Sequence, residues 1–341
     1  MPHKMSVRSQ KTRFAVIGLG HIGKRHAEMI LQNPDSELVA VADIKPADQT
    51  HWQGDQPYFS SLTELLNAPI EAEVLTIATP NGLHASMAIE ALKKGFHVVI
   101  EKPMALRATD AQQIMDAARV AQKEVFNVMQ NRYSPPSVWL KELVDSGKLG
   151  NIYMVQLNCY WNRDARYYIP GNWHGTPDLD GGVLFTQFSH FIDMMIWLFG
   201  DITRIQAKHF NFNHQQLTSF SDSGIATFEF VQGGIGSLNY STSIWDKNME
   251  SSMTIVAEKG SVRIGGQYME KLEYCHIKDY PVPVLPATNP GNDYGHYKGS
   301  AQNHHYVIQN VIDVLHHRAE VATRAEEGLK VVEVIGRLYN A

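Results

Sequence analysis

Residues Phe14–His26 read FAVIGLGHIGKRH: a short apolar run, a glycine turn, and residues that can continue as a helix. Phe14–Ile17 has the length and apolarity of a buried strand, and Gly18 ends it. Gly18, Gly20 and Gly23 then stand in the G-x-G-x-x-G order of a dinucleotide-binding turn. Gly18 allows the tight turn, Gly20 leaves room for a pyrophosphate to meet backbone, and Gly23 lets the helix approach the strand. The first N–H groups of that helix, from His21 and Ile22 onward, lack intrahelical partners and point at a phosphate.

Moving outward, a second apolar strand, Leu38–Ala42, ends at Asp43, twenty residues beyond Gly23. An acid there accepts hydrogen bonds from both ribose hydroxyls and repels a 2′-phosphate, so the expected cofactor is NAD rather than NADP. Lys45, close by, pulls the other way. An isolated Asp after a strand also commonly caps a helix. It is the glycines, the spacing and the strand together that favour the nucleotide.

Three more apolar runs, Val74–Ala78, His97–Ile100 and Val125–Met129, alternate with helices expected at Ser61–Asn67, His84–Lys94 and Thr109–Gln122. This alternation predicts an α/β Rossmann domain with a parallel sheet over residues 11–130. Ligands lie at the carboxyl ends of such strands, so Thr79–Asn81, Glu101–Pro103 and Gln130 converge with Gly18–Gly23 on one rim. After Arg132 the rhythm changes to runs of alternating polarity: Ile152–Tyr160, Ile202–Phe212, Ile225–Phe230, Gly236–Ser243, Ser252–Ala257 and Gly260–Ile264. Turns at Gln232–Gly234 and Glu258–Gly260 favour hairpins. Residues 131–341 are therefore expected to form an α+β domain with a mainly antiparallel open sheet. Helices are expected at Pro135–Gly147, Gly182–Phe199, Ala301–His317 and Arg324–Asn340, and Pro281–Pro290 reads as an irregular loop.

Composition narrows the partners. The chain has 341 residues, 44% of them apolar, and a formal charge of −5. That is enough for a sizeable core, and the lack of basic runs speaks against nucleic acid or an anionic membrane as partner. Cys159 and Cys275 form neither a disulfide framework nor a zinc pattern, which suits a reducing cytoplasm. The first thirteen residues are polar and basic and lead into a strand, unlike a secretory signal. The most apolar long stretch, Val183–Phe199, is interrupted by Thr186, Gln187, Ser189, His190 and Asp193, so no membrane span is expected.

The chemistry-bearing residues fall in two places. Lys102 follows a strand at the ligand rim, where an ammonium can stabilise a substrate oxygen; a lysine at a strand end is otherwise usually solvated. On a helix over Gly182–Phe199, Thr186, Gln187 and His190 share one face and the remaining positions are largely apolar. A histidine on a buried helix is most often a core residue, but the two polar neighbours argue for a cleft wall. His190 with Asp193 lacks a third metal ligand, adjacent His304 and His305 point apart, and no metal is expected. Arg163 and Arg166 lie in an aromatic loop, where a planar guanidinium suits a phosphate or carboxylate; a single loop arginine is more commonly a solvated charge.

With these residues in place the chain resembles a known family. GLGHIG, Ala78-Thr79-Pro80-Asn81 with His84, Glu101-Lys102-Pro103, and Gly181-Gly182-x-Leu184 ahead of His190-x-x-Asp193 are similar to the glucose-fructose oxidoreductase/inositol dehydrogenase/rhizopine catabolism (Gfo/Idh/MocA) family. The likeness covers nearly the whole chain. Gln130-Asn131-Arg132-Tyr133-x-Pro135-Pro136, Trp161-x-Arg163, Trp173-x-Gly175-Thr176 and Asp180-Gly181-Gly182 with Gln187-x-Ser189-His190 resemble the branch that oxidises C3 of UDP-N-acetylglucosaminuronic acid in surface-polysaccharide synthesis. The resemblance implies an NAD-linked dehydrogenase of a sugar CH–OH, with Lys102 and His190 as the catalytic pair. Many relatives carry an acid where this chain has Thr186, and a threonine cannot favour an imidazolium as a carboxylate does. Arg163, Arg166, Tyr168, Trp173, Thr186 and Gln187 are the expected substrate residues. A free-sugar or inositol dehydrogenase and a non-catalytic NAD-binding protein are the alternatives. A homodimer or homotetramer is expected on family grounds.

Overall fold

The structure is a computed structural model and describes residues 11–295 and 297–341; the polar lead-in at residues 1–10 lies outside the described residues. The first part of the chain runs β1 (Thr12–Ile17), α1 (His21–Gln32), β2 (Ser36–Ala42), α2 (Ala47–Thr50), β3 (Tyr58–Phe59), α3 (Leu62–Asn67) and β4 (Val74–Ile77). It continues through α4 (His84–Lys93), β5 (His97–Ile100), α5 (Ala108–Ala121) and β6 (Val125–Asn127). All six strands pair in parallel, in the order β3-β2-β1-β4-β5-β6. Both faces are covered, which is why β4 is buried at every position and reads as an unbroken apolar run. The order reverses between β1 and β4. The Gly18 turn and the Thr79–Asn81 loop flank that point, and sheets of this kind take ligands there, beyond the strands' carboxyl ends.

The remainder runs α6 (Pro135–Asp145), β7 (Ile152–Tyr160), α7 (Val183–Thr186), α8 (Ser189–Phe199), β8 (Ile202–Phe210), β9 (Ser223–Phe230), β10 (Ile235–Ser241), β11 (Glu250–Ala257) and β12 (Gly260–Gly265). After these come β13 (Lys271–Ile277), β14 (Gly291–Asp293), β15 (Lys298–Ala301), α9 (His304–Leu315) and α10 (Ala325–Tyr339). Seven strands make an open sheet, β13-β12-β11-β7-β10-β9-β8. Neighbours are antiparallel except β7 and β10, which run parallel. On β9, Gly224, Ala226, Phe228 and Phe230 face inward and alternate with more exposed residues, the period-2 pattern of a sheet buried on one face.

The last two helices return to the first sheet. Val307, Ile308, Val311 and Ile312 of α9 pack beside Ala27 and Ile30 of α1 against Phe14, Val16 and Val41. Val331, Val334 and Ile335 of α10 join a core that includes Ile114 of α5, Ile77 of β4 and Phe191 of α8. The parallel sheet is thus completed from residues far along the chain.

Two sequence expectations change, and one further strand emerges. The helix expected over Gly182–Phe199 is two helices, α7 and α8, broken at Gln187-Phe188. The break turns Gln187 onto Arg163 while Phe188 packs edge-on to Trp161. The helix expected from Ala301 begins at His304, because Ala301 pairs with Gly291 in a hairpin the periodicity did not reveal. Strand β13 was likewise hidden, its exposed lysine and glutamate positions masking the alternation.

Candidate active site

The glycine turn is built as its spacing requires. Gly18 has φ +88, and a Cβ on Gly23 would lie 1.6 Å from the Gly18 carbonyl oxygen, so neither position tolerates a side chain. A Cβ on Gly20 would meet nothing within 4 Å, which leaves the open approach a pyrophosphate needs. Helix α1 starts at His21 with no side-chain cap on its N-terminus. Its free N–H groups and the positive end of its dipole therefore lie beside the glycine turn. Asp43 Oδ2 accepts from Leu19 N at 2.6 Å and Oδ1 from Lys45 N at 2.9 Å, fixing the carboxylate beside the turn. These features fit a bound dinucleotide.

The neighbouring strand ends contribute in different ways. His84 stitches two of them together, with Nδ1 2.7 Å from Pro103 O and Nε2 2.8 Å from Thr79 O. Asn81 is buried and turned toward the second domain: its Nδ2 donates to Asp180 O at 2.8 Å and to Thr186 Oγ1 at 2.7 Å. The Glu101 carboxylate points into the interior, with His26 Nε2 at 2.8 Å and His304 Nε2 at 3.5 Å. Burial works against that charge, yet the two imidazoles hold its carboxyl well below the usual range. These three side chains form a buried group whose ligand-type atoms lie close together.

Lys102 Nζ donates to the main-chain oxygen of Thr186 at 2.7 Å. Burial lowers its pKa, and Glu101 and Asp180 oppose that shift. His190 is buried on α8, with Gln130 Nε2 3.3 Å from its Nε2. Burial, followed by the nearby Lys102, pulls the imidazole well below its ordinary pKa. It is therefore neutral near pH 7 and able to accept a proton. The Asp193 carboxylate is taken by Arg132, whose Nη2 and Nε lie 2.6 and 2.8 Å from its oxygens.

The two loop arginines have opposite fates. Arg166 is exposed and paired with Asp164 at 2.7 Å and Asp246 at 3.4 Å. Arg163 is only 2% exposed, and among the described residues no carboxylate lies within ion-pair reach of it. Its guanidinium donates to Gln187 Oε1 at 2.8 Å, Asn248 Oδ1 at 3.2 Å, Lys298 O at 3.2 Å and Asn162 O. It lies over the rings of Trp161, Tyr167 and Tyr297 at 4.8–5.2 Å. Burial draws its pKa down. This desolvated cation is held by neutral acceptors and π faces.

Around it, Gln187 Nε2 donates to Tyr167 Oη at 2.7 Å, Tyr168 is buried against His214, and Trp173 stacks on His174 at 3.9 Å. The structure thus joins Arg163 to Gln187 and Thr186 to Asn81 and Lys102, packs Tyr168 against Tyr167 and Trp173 against His174, and leaves Arg166 exposed. Sequence reasoning missed Asp180, Tyr167, His174, Asn248 and the β14–β15 hairpin, whose Tyr297 covers Arg163 and whose flanking Tyr294 packs on His21. The Tyr-Gly-His-Tyr run at 294–297 was the one available signal for the hairpin.

Residues 12–128 match the family described as "Oxidoreductase family, NAD-binding Rossmann fold", and residues 138–263 match the GFO/IDH/MocA C-terminal domain. The WlbA dehydrogenase of Bordetella pertussis, solved with NADH and UDP-GlcNAcA, is 33% identical with a TM-score of 0.86, over 97% of this chain and 96% of that one. The WlbA dehydrogenase of Chromobacterium violaceum, solved with the same two ligands, is 30% identical with a TM-score of 0.85, over 98% and 94%. Inositol 2-dehydrogenase of Salmonella paratyphi B is 26% identical over 64% of this chain and 63% of its own length.

Proposed function

Because the chain belongs to the Gfo/Idh/MocA oxidoreductase family and is an NAD-dependent dehydrogenase of a sugar CH–OH, we propose that its substrate is a UDP-linked N-acetylated uronic acid, oxidised at C3. The observation that carries this reading is Arg163, a buried guanidinium without a carboxylate partner among the described residues. An uncharged sugar or an inositol gives such a group nothing to neutralise, whereas a uronate carboxylate or a diphosphate does. Both WlbA enzymes were solved with UDP-GlcNAcA, which supports the same class.

Lys102 and His190 form the proposed catalytic pair. NAD supplies the hydride acceptor. The neutral His190 imidazole takes the hydroxyl proton as the carbinol C–H bond gives up its hydride and the carbonyl forms. Lys102 keeps two ammonium N–H groups beyond the one given to Thr186 O, and these steady the developing charge on the substrate oxygen. Asp43 accepts from the ribose diol and sets NAD over NADP. Gly18, Gly20, His21, Ile22, Thr79, His84 and Gln130 border the cofactor, and Tyr168, Trp173 and Gln187 border the sugar.

The test is a panel of UDP-linked uronates, UDP-linked neutral sugars, free sugars and inositols, scored by formation of NADH. Turnover confined to the UDP-linked uronates is the expected result. Oxidation of free sugars or inositols alone would replace this reading with a polyol dehydrogenase, and no turnover at all would leave an NAD-binding protein. The outer face of the seven-stranded sheet exposes Ile225 and Ile235, and we propose that it serves a homodimer or homotetramer. A monomer in sedimentation at micromolar concentration would refute this.

A further inference from the structure

The buried acids around the cleft are accounted for except one. Glu101 is held by His26 and His304, and Asp193 by Arg132. Asp180 is 1% exposed, and among the described residues no cation lies within ion-pair reach of it. Its Oδ2 accepts from Gly175 N at 2.8 Å, and its Oδ1 accepts from Gly182 N at 3.3 Å and from the Thr186 hydroxyl. The same hydroxyl oxygen accepts from Asn81 Nδ2 at 2.7 Å, and the main-chain oxygen of Thr186 receives the Lys102 ammonium at 2.7 Å. Asp180 and Lys102 are therefore the two ends of one assembly, with Thr186 as the joint and Asn81 as a strut from the first domain.

A carboxylate so deeply buried costs several kcal/mol unless its charge does something in return. Here the cation it acts on is the buried Lys102, which has no acid of its own within ion-pair reach among the described residues. We propose that Asp180 is the positioning residue of Lys102: through the Thr186 hydroxyl it anchors the oxygen on which the ammonium is seated, and it adds its negative charge to that of Glu101 beside the ammonium. This rests on Lys102 being the group that meets the substrate oxygen. The departure at position 186 thereby acquires a physical reading. A threonine there delivers the charge of Asp180 to the lysine, instead of placing a carboxylate against the histidine.

The groups facing Lys102 bear this out in sign. Glu101 beside it in sequence and Asp180 from the second domain favour the charged lysine, and Arg163 from the end of β7 opposes it. His84, His174 and His190 also feel the lysine, and all three are pushed toward their neutral forms, each chiefly by burial. Asp180 itself is raised by burial, and the hydrogen bond from Thr186 is the largest effect restraining that rise. Loss of the hydroxyl removes that restraint and cuts the link between the Asp180 carboxylate and the residue that seats Lys102, a smaller change than the loss of charge in Asp180→Asn.

The experiment is competitive labelling of Lys102 with trace acetic anhydride across pH, read by peptide mass spectrometry on the whole protein without substrate. Circular dichroism and NADH binding verify that each variant is folded. The midpoint for Lys102 is expected to move to lower pH in Asp180→Asn, so that labelling at a fixed pH below the midpoint becomes several-fold faster. Thr186→Val should move it the same way by less, and Thr186→Ser should restore it. An unmoved midpoint in Asp180→Asn overturns the proposal. Should that variant not fold, equal midpoints in Thr186→Val and Thr186→Ser overturn it. Because no sugar enters the assay, failure of the substrate assignment leaves this result readable on its own.

Discussion

On the cofactor wall, Gly18, Gly20, Gly23 and Asp43 come from one strand-turn-helix and the end of the next strand, and they work mostly through backbone. On the wall proposed for the substrate, Arg163, Asp180, Gln187, Asn248 and Tyr297 come from five separate places and work through buried side chains that satisfy one another. The first kind of site tolerates change wherever the backbone path survives. The second kind does not, since removing one member leaves another polar group buried and unpaired. The wall that is harder to read is therefore the wall where single substitutions should cost more.

The largest effect should come where the two walls meet. Lys102→Met and His190→Ala should each lower turnover by about 10²–10⁴-fold and leave NAD binding largely intact. Calorimetry with NAD alongside initial rates separates the two, and wild-type rates in both variants would move the chemistry elsewhere. Next is the contrast between the loop arginines. Arg163→Ala should weaken a UDP-linked uronate by about 2–5 kcal/mol, because a desolvated contact loses its charge. Arg163→Lys should not restore it, since an ammonium cannot reproduce the fork held by Gln187, Asn248 and Lys298. Arg166→Ala should change affinity little, its charge already being spent on Asp164 and Asp246 in solvent. Equal losses for the two arginines would erase the distinction between a buried receptor and a surface pair.

On the cofactor wall the corresponding change is milder. Asp43→Ser should cost NAD about 1.5–3 kcal/mol, the range for a hydrogen bond to a charged group, and should narrow the preference over NADP. Tight NADP binding by the unaltered protein would show that Lys45 prevails. The smallest effect is on folding. Burial, then Arg163 and Lys102, push His174 down to about 3 from the ordinary 6.5 of an imidazole. Between those values the unfolded chain binds more protons than the folded one, so this residue makes stability fall as pH drops from about 6.5 toward 3. His174→Phe keeps a ring on Trp173 and should flatten the loss, by about 1–2 kcal/mol between pH 7 and pH 5 in urea titrations. Parallel losses in the two proteins would mean that His174 is not held neutral.

By itself the sequence determined the parallel sheet, the glycine turn, the acid that ends the second strand and the lysine at the rim. Each of these depends on residues close together in the chain: Phe14–Gly23, the twenty-residue step to Asp43, and Lys102 directly after β5. Local periodicity and backbone geometry are properties of short segments, and short segments are what a sequence displays. Only the tertiary structure decided that Arg163 is buried and Arg166 is not, though they stand three residues apart in the same aromatic loop. It alone broke the expected Gly182–Phe199 helix at Gln187, paired Ala301 with Gly291, brought α9 back against β1, and set Asp180 one hydroxyl away from the seat of Lys102. In each case the outcome turned on which distant group satisfies a buried polar atom or covers an apolar face, and that choice is made by packing rather than by spacing along the chain.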